Sequence, residues 1–267
     1  MKREIELRRR AQSLDTLNEA IGAMKSLSAH HFRELRASVE PAREYREGVE
    51  RIFAGSGASL PAGDSGAGLV VLGGELGLCG AYNARVVALA RVKRAEVGPG
   101  PTLCVGKRAG ALLTRGAMTV DRQYGAPAGT SGIAGLLLRL VEDILTTFVR
   151  DRLASVDIVS CRFRGVGVVE PGSTRLLPFR TNRSAAAPPA RYVSPRTFAN
   201  VAAREYLYIT LYDLLLDALA TEHAARLVAT QSAEKWLDER GTTLRRQLAA
   251  TRREASTQEV IEITSRR

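Results

Sequence analysis

Apolar residues recur on alternating three- and four-residue steps at both ends of the chain. In the first segment Leu7, Leu14, Leu17, Ile21, Met24 and Leu35 keep this spacing, with Arg10, Ser28, His31 and Ser38 at the remaining seam positions. In the last segment the seam runs Tyr208, Leu211, Leu215, Ala218, Glu222, Ala225, Ala229, Ser232 and Trp236. Beyond Gly241 it thins to Leu244, Leu248 and Val260 among charges. Such stepping predicts helices that pair along a heptad seam. All 10 prolines fall between Pro41 and Pro195, and proline is nearly excluded from helix interiors. Two long helices are therefore expected, over residues 1–53 and 196–267.

Length then constrains the arrangement. At about 1.5 Å per residue, a helix of some 70 residues reaches roughly 100 Å, far beyond the width of a compact domain. It cannot fold onto its own core along its whole length, so the N-terminal helix is its natural partner. One helix enters the central region and the other leaves it, which makes the pair antiparallel. The seam is weakly apolar, so the protruding part is expected to sit inside an external sheath.

Between the two ends, residues 54–195 alternate strand and helix. Leu69–Leu72, Thr102–Val105, Met118–Val120, Val156–Phe163 and Thr174–Pro178 are expected strands, and Asn83–Ala95, Lys107–Arg115 and Ile133–Leu153 expected helices. Unbroken apolar strands alternating with helices predict a largely parallel sheet covered on both faces. Residues Thr181–Arg191, with Ala185-Ala186-Ala187-Pro188-Pro189, are a linker in composition.

Composition narrows the class. Hydrophobic residues make up 45% of the 267 positions and charged residues 25%, enough for a core and unlike a disordered chain. Leu214–Leu216 and Ile133–Leu138 fall far short of the roughly 20 apolar residues of a membrane span. The charged start Met1-Lys2-Arg3-Glu4 does not lead into a secretory signal. Cys79, Cys104 and Cys161 stand alone without CxxC spacing, which argues against a disulfide scaffold or a zinc site. Net charge is +11, a hint of nucleic acid or an anionic surface. Yet residues 1–53 hold 11 Lys and Arg against 9 Asp and Glu, and residues 196–267 hold 11 against 10. The excess is scattered through the middle, at Arg91, Lys93, Arg94, Lys107, Arg108, Arg162 and Arg164, and no nucleic-acid motif accompanies it.

Three patterns could carry chemistry. Gly73-Gly74-Glu75-Leu76-Gly77-Leu78-Cys79-Gly80 follows a strand and precedes a helix, but its spacing is not G-x-G-x-x-G and no Gly-Lys-Ser/Thr follows. A tight structural turn involving Gly77, Cys79 and Gly80 accounts for it better than a nucleotide site does. His30 and His31 are adjacent, so on a helix they point about 100° apart and are not expected to share a metal. Glu222-His223 lacks the partner of an HExxH site, and no GxSxG elbow is present. A nucleotide-dependent enzyme using Gly74–Gly80 and a basic nucleic-acid binder stand as alternatives. Nucleotide titration and salt-dependent DNA affinity would identify them.

The ends and the central turn together resemble the gamma subunit of F-type ATP synthases. The family's K-A-M-x-M-V-A stretch corresponds to Ile21-Gly22-Ala23-Met24-Lys25-Ser26-Leu27-Ser28-Ala29, and its A-R-P-Y to Ala42-Arg43-Glu44-Tyr45, the proline displaced to Pro41. Its central S-D-x-G-L-C-G-x-[FY]-N appears as Gly77-Leu78-Cys79-Gly80-Ala81-Tyr82-Asn83. The closing S-E-x-A-A-R-M-V-A reads Thr221-Glu222-His223-Ala224-Ala225-Arg226-Leu227-Val228-Ala229, and the final motif covers Arg252–Ile263. Three departures mark a divergent member, as in an alternative bacterial F-type complex. Gly74-Glu75-Leu76 replaces Ser-Asp, Arg252-Arg253 replaces Arg-Gln, and His30 and His31 stand where basic residues are usual.

The resemblance implies an α/β protein, with a long antiparallel coiled coil of the two terminal helices on a Rossmann-like domain that binds no nucleotide or other cofactor. It implies a central rotor shaft, itself non-catalytic. The implied partners are the alpha/beta hexamer, the epsilon subunit and the membrane ring of c subunits, with no nucleic acid and no small-molecule substrate. The implied location is peripheral, on the cytoplasmic side of a bacterial inner membrane. Residue by residue, it assigns Met24, Lys25, Arg252, Arg253, Gln258 and Glu259 to contact with beta, and Glu205 and Tyr206 to the foot above the ring.

Overall fold

The computed structural model describes residues 2–55, 62–179 and 194–265. Helix α1 spans Lys2–Gly55 and helix α5 spans Pro195–Ser265. By helical rise these are roughly 80 and 105 Å long. They run antiparallel along most of their length. Arg252 pairs with Glu4 at one end, and Tyr206 with Glu50 at the other. Helix α1 passes through Pro41 instead of stopping there. The carbonyl that proline leaves unbonded belongs to Ala37, which is exposed to water, so the loss is tolerated. Gly241 likewise does not end α5; it lies buried within the helix.

Between the long helices lies a five-stranded sheet in the order β3-β2-β1-β4-β5. Its strands are β1 (Ser65–Leu72), β2 (Thr102–Val105), β3 (Arg122–Tyr124), β4 (Leu153–Cys161) and β5 (Pro171–Leu177). The first four are parallel, and β5 runs antiparallel along the edge. Helices α2 (Tyr82–Val97) and α3 (Lys107–Arg115) cover one face, and α4 (Ile133–Arg150) with α1 and α5 covers the other. Most expected elements are found with ends shifted by a few residues, and two differ in an instructive way. The third strand is Arg122–Tyr124 rather than Met118–Val120, because Asp121 ties the chain to Thr102 and starts pairing only there. The fourth helix stops at Arg150, and Leu153 opens β4 after Arg152 reverses the chain at φ 49°. The expected linker Thr181–Arg191 lies outside the described residues.

The seam of the rod is half as read from the sequence. Leu7, Ile21, Ser28, Leu35 and Ala42 face α5, but the intervening line is Ala11, Asn18, Lys25, Phe32, Val39 and Arg46. It sits one residue beyond Arg10, Leu17, Met24, His31 and Ser38, and Leu17 is 52% exposed. The same one-residue shift occurs in α5, where Leu237 is 5% exposed and Trp236 59%. Polar complementarity selects this register. Lys25 donates to Glu234 at 2.5 Å, Asn18 to Asp238 at 3.2 Å, and Arg245 to Asp15 at 2.9 Å. Truncating Leu237 to alanine should therefore cost about 2 kcal/mol or more, while Trp236→Ala should change stability by no more than about 0.5 kcal/mol. Thermal melts of the two variants check this, and the reverse order would restore the other register.

Candidate functional site at the junction of rod and head

The glycine turn after β1 is filled by the chain's own side chains. Asn83 Oδ1 accepts the Gly74 amide at 2.8 Å, and a Cβ at Gly74 would lie 2.8 Å from Glu222 Oε1. Arg226 ion-pairs with Glu222 one turn away on α5 and donates through Nε to the Gly77 carbonyl at 3.2 Å. Tyr82 donates to the Ala218 carbonyl at 3.1 Å, so the start of α2 is also pinned to α5. Gly80 adopts φ +56°, where a side chain would be strained. Cys79 is buried, its thiol pushed up by burial and then by the Glu222 charge. Glu75 accepts the amides of Lys107 at 3.1 Å and Ala126 at 2.9 Å. Burial opposes ionisation there, yet these amides prevail and hold the carboxyl below its usual range. An amide already bonded to Asn83 and a carboxylate facing the turn are poor company for a phosphate.

Further along α5, Asp213 and Asp217 are completely buried. Arg46 approaches Asp213 at 3.0 Å, Arg43 approaches Asp217 at 3.6 Å, and Arg162 stands 3.8 Å from both. Burial and then the neighbouring Asp213 push the Asp217 carboxyl up. This charge cluster joins α1, α5 and the end of β4 across the core. Phe32 packs on Phe163 beside it, with Arg36 over the same ring at 4.9 Å.

A third contact lies where α1, α5 and the loop before α4 meet. His223 donates from Nε2 to the Ala128 carbonyl at 2.9 Å and accepts at Nδ1 from Arg226 at 3.4 Å. Burial, followed by the Arg226 charge, pushes its imidazole down to about 4. His31 lies against it with ring centroids 5.3 Å apart. Thr130 donates to Glu34, and His31 Nδ1 lies 3.5 Å from the same carboxylate. The expectation that His30 and His31 point too far apart to act together overlooks Glu34. Their donor atoms and a Glu34 oxygen all lie within 4.8 Å of one another.

The residues singled out from sequence fall in three separate places. Gly77, Cys79 and Gly80 lie in the junction just described. Lys25 and Arg252 face across the rod, to Glu234 and to Glu4 at 2.9 Å respectively. Met24 is half-buried beside the seam, and Arg253 and Gln258 are exposed near the tip. Glu259 is part of α5, with its side chain outside the described set. Glu205 accepts from Tyr45 at 3.0 Å, and Tyr206 donates to Glu50 at 3.2 Å and packs on Phe179. These two sit at the opposite end from Arg252. Beside them an open groove is lined by Leu138, Val141, Val201, Arg204, Glu205 and Tyr208. Sequence reasoning missed Asp213, Asp217 and Arg46 and gave Arg43 and Arg162 no place in this cluster, although two acids four apart within Tyr212-Asp213-Leu214-Leu215-Leu216-Asp217 are a readable signal.

Comparison with known proteins agrees with this architecture. The ATP synthase family model (ATP-synt) matches residues 4–266. The ATP synthase gamma chain of Moorella thermoacetica is 26% identical over 276 residues, covering 97% of this chain and 96% of that protein. That of Fuscovulum blasticum is 28% identical over 281 residues, covering 97% and 96%. Among solved structures, a chain of the Euglena gracilis mitochondrial ATP synthase OSCP/F1/c-ring assembly aligns with a TM-score of 0.73 at 14% identity, covering 99% of this chain and 93% of that one. A chain of the Tetrahymena thermophila mitochondrial central stalk and c-ring aligns with a TM-score of 0.61 at 18% identity, covering 80% and 99%. With the family model matched over residues 4–266 and gamma chains aligned over nearly their full length, the protein belongs to the ATP synthase gamma-chain family.

Proposed function

We propose that this chain is the central rotor shaft of an F-type ATP synthase and carries no catalytic residue of its own. The supporting observation is the rod. From Glu234 to Arg252 the described cross-helix partners of α5 are residues of α1 alone, namely Lys25, Asn18, Asp15 and Glu4. That stretch extends roughly 30 Å past the sheet domain. Within a hexamer of alpha and beta subunits, an asymmetric rod touches each catalytic subunit differently. Differential contact is what shifts an open–closed equilibrium, and turning the rod passes the shift to the next subunit.

Residues 1–53 and 196–267 form the shaft in this reading, and residues 54–195 the head. Torque entering at the foot must reach the tip without slippage between head and rod. The junction residues Tyr82, Asn83, Glu222 and Arg226, with the Asp213–Asp217 cluster, supply that connection. The glycine turn at Gly77, Cys79 and Gly80 is structural and holds no nucleotide. Glu205 and Tyr206, beside the exposed Leu138 and Val201, form the foot that meets the epsilon subunit and the c-ring. No helix among the described residues is long and apolar enough to cross a membrane. Placement is peripheral, on the cytoplasmic face of a bacterial inner membrane, through the c-ring.

Intramolecular pairing divides the six residues assigned to beta. Lys25 and Arg252 serve the coil itself, leaving Met24, Arg253, Gln258 and Glu259 to meet beta. In a reconstituted complex, Arg253→Glu should reduce ATP-driven torque several-fold. Exchanging the tip pair, Glu4→Arg with Arg252→Glu, should leave torque near wild type because the cross-helix pair survives. Single-molecule rotation assays read both, and undiminished torque in R253E would remove Arg253 from the contact. Failure of the chain to co-purify with an alpha/beta hexamer would overturn the shaft assignment itself.

A further inference from the structure

We propose that His30, His31 and Glu34 form a binding site for a divalent transition metal of the zinc class, on α1 where the rod meets the head. Each side chain offers one donor atom, and the three atoms lie within 4.8 Å of one another. Glu34 makes this arrangement work. It stands four residues after His30 and three after His31, and both separations bring side chains together on a helix. Around a tetrahedral zinc with ligands about 2.0–2.2 Å away, donor atoms stand roughly 3.4 Å apart. His30 is exposed, so its side chain has room to rotate toward the other two donors. Two imidazoles and one carboxylate suit zinc, copper or nickel better than magnesium or calcium, which favour all-oxygen sets.

An independent observation comes from the loop facing these donors. A Cβ on Gly129 would lie 2.9 Å from His31 Nδ1 and 3.0 Å from Glu34 Oε2. Gly129 itself is extended, at φ −145°, a conformation open to any residue. The backbone does not require glycine there, whereas room beside the two donors does. Outer partners are in place as well. Thr130 holds the second Glu34 oxygen, and His31 rests against His223, whose ring is fixed by the Ala128 carbonyl. Such contacts orient metal ligands and preserve affinity. Three protein donors leave a fourth position for water. A bound ion would stiffen α1 at the point where loop 128–130 rests on it. This site is independent of the rotary reading, since it uses none of the residues assigned to beta or to the foot.

The test is calorimetric titration of the untagged full-length chain, stripped with chelator and then desalted, using zinc sulfate and, separately, magnesium sulfate. One zinc per chain is expected, with magnesium binding far more weakly. His30→Ala and Glu34→Gln should each weaken zinc binding at least about tenfold. Gly129→Ala, which removes no ligand, should weaken it about tenfold by crowding. Far-ultraviolet circular dichroism in EDTA should be unchanged in all three variants. Zinc affinity equal to that of the H30A/E34Q double variant would overturn the site, as would equal affinity for magnesium. Unaltered affinity in G129A would overturn the role of the cleared space.

Discussion

Replacing Arg226 by methionine should destabilise the folded chain by about 3–5 kcal/mol, because it leaves a buried carboxylate without its partner. Arg226 and Glu222 are 3% exposed each, so water cannot take over. Methionine keeps most of the length and loses both the ion pair and the bond to the Gly77 carbonyl. Burial already pushes the Glu222 carboxyl up in the wild type, with Arg226 pulling against it. Without Arg226 the folded-state pKa rises further above the unfolded value. Stability from such a group is complete below the unfolded pKa and is lost as pH rises through the folded one. The defect of R226M should therefore be larger at pH 7 than at pH 4. Adding Glu222→Gln should recover more than half of it, since a neutral amide needs no counter-charge. Urea denaturation of the single and double variants measures both effects. A melt of R226M indistinguishable from wild type would mean that the motif around Thr221–Ala229 does not hold head and rod together.

Acidification should weaken the same junction through His223. Its imidazole falls from an unperturbed 6.5 to about 4 in the folded chain. The unfolded chain therefore binds a proton near pH 6.5 that the folded chain refuses until about pH 4. Stability is complete above pH 6.5 and declines as pH falls between these values, by about 3 kcal/mol in all. The groups facing the ring are Arg226, His31 and Glu34. Carboxyls held low, such as Glu34 and Glu75, act only below the ordinary glutamate value of 4.5. Asp217 and Glu222, held high, act with the opposite sign. The difference between wild type and a His223 variant from pH 6.5 to 5 thus reports on His223. His223→Gln, which retains a donor for the Ala128 carbonyl, should flatten the pH dependence of the melting temperature there. Measurements belong in EDTA, so that metal on His31 does not compete. An identical slope in wild type and H223Q would remove His223 as its cause.

Elements of the fold were legible where a single periodicity governed them. Proline confined to the middle, apolar steps at the ends and short apolar runs between glycines identified both long helices and four of the five strands. The seam was harder. A helix with Leu7, Leu14, Ile21, Ser28 and Leu35 on one line admits a second line on either side of it. Apolar residues recommend the side with Leu17 and Met24. The observed side carries Asn18 and Lys25, because α5 places Asp238 and Glu234 opposite them. No property of α1 alone contains that information.

By itself, then, the sequence determined two helices too long for the domain between them, their antiparallel pairing, and a sheet covered on both faces. Those follow from backbone geometry and from the local spacing of apolar side chains. Tertiary structure alone decided which polar residues are inside. Asp213, Asp217, Glu222, His223 and Arg226 occupy a stretch of α5 enclosed on all sides, where periodicity vanishes because no face meets water. Asp213, Asp217, His223 and Arg226 are kept there by groups distant in sequence, namely Arg43, Arg46, Arg162, the Gly77 carbonyl and the Ala128 carbonyl, and Glu222 is held in turn by Arg226. Burial of a charge depends on its partner, and only the folded chain brings that partner within reach.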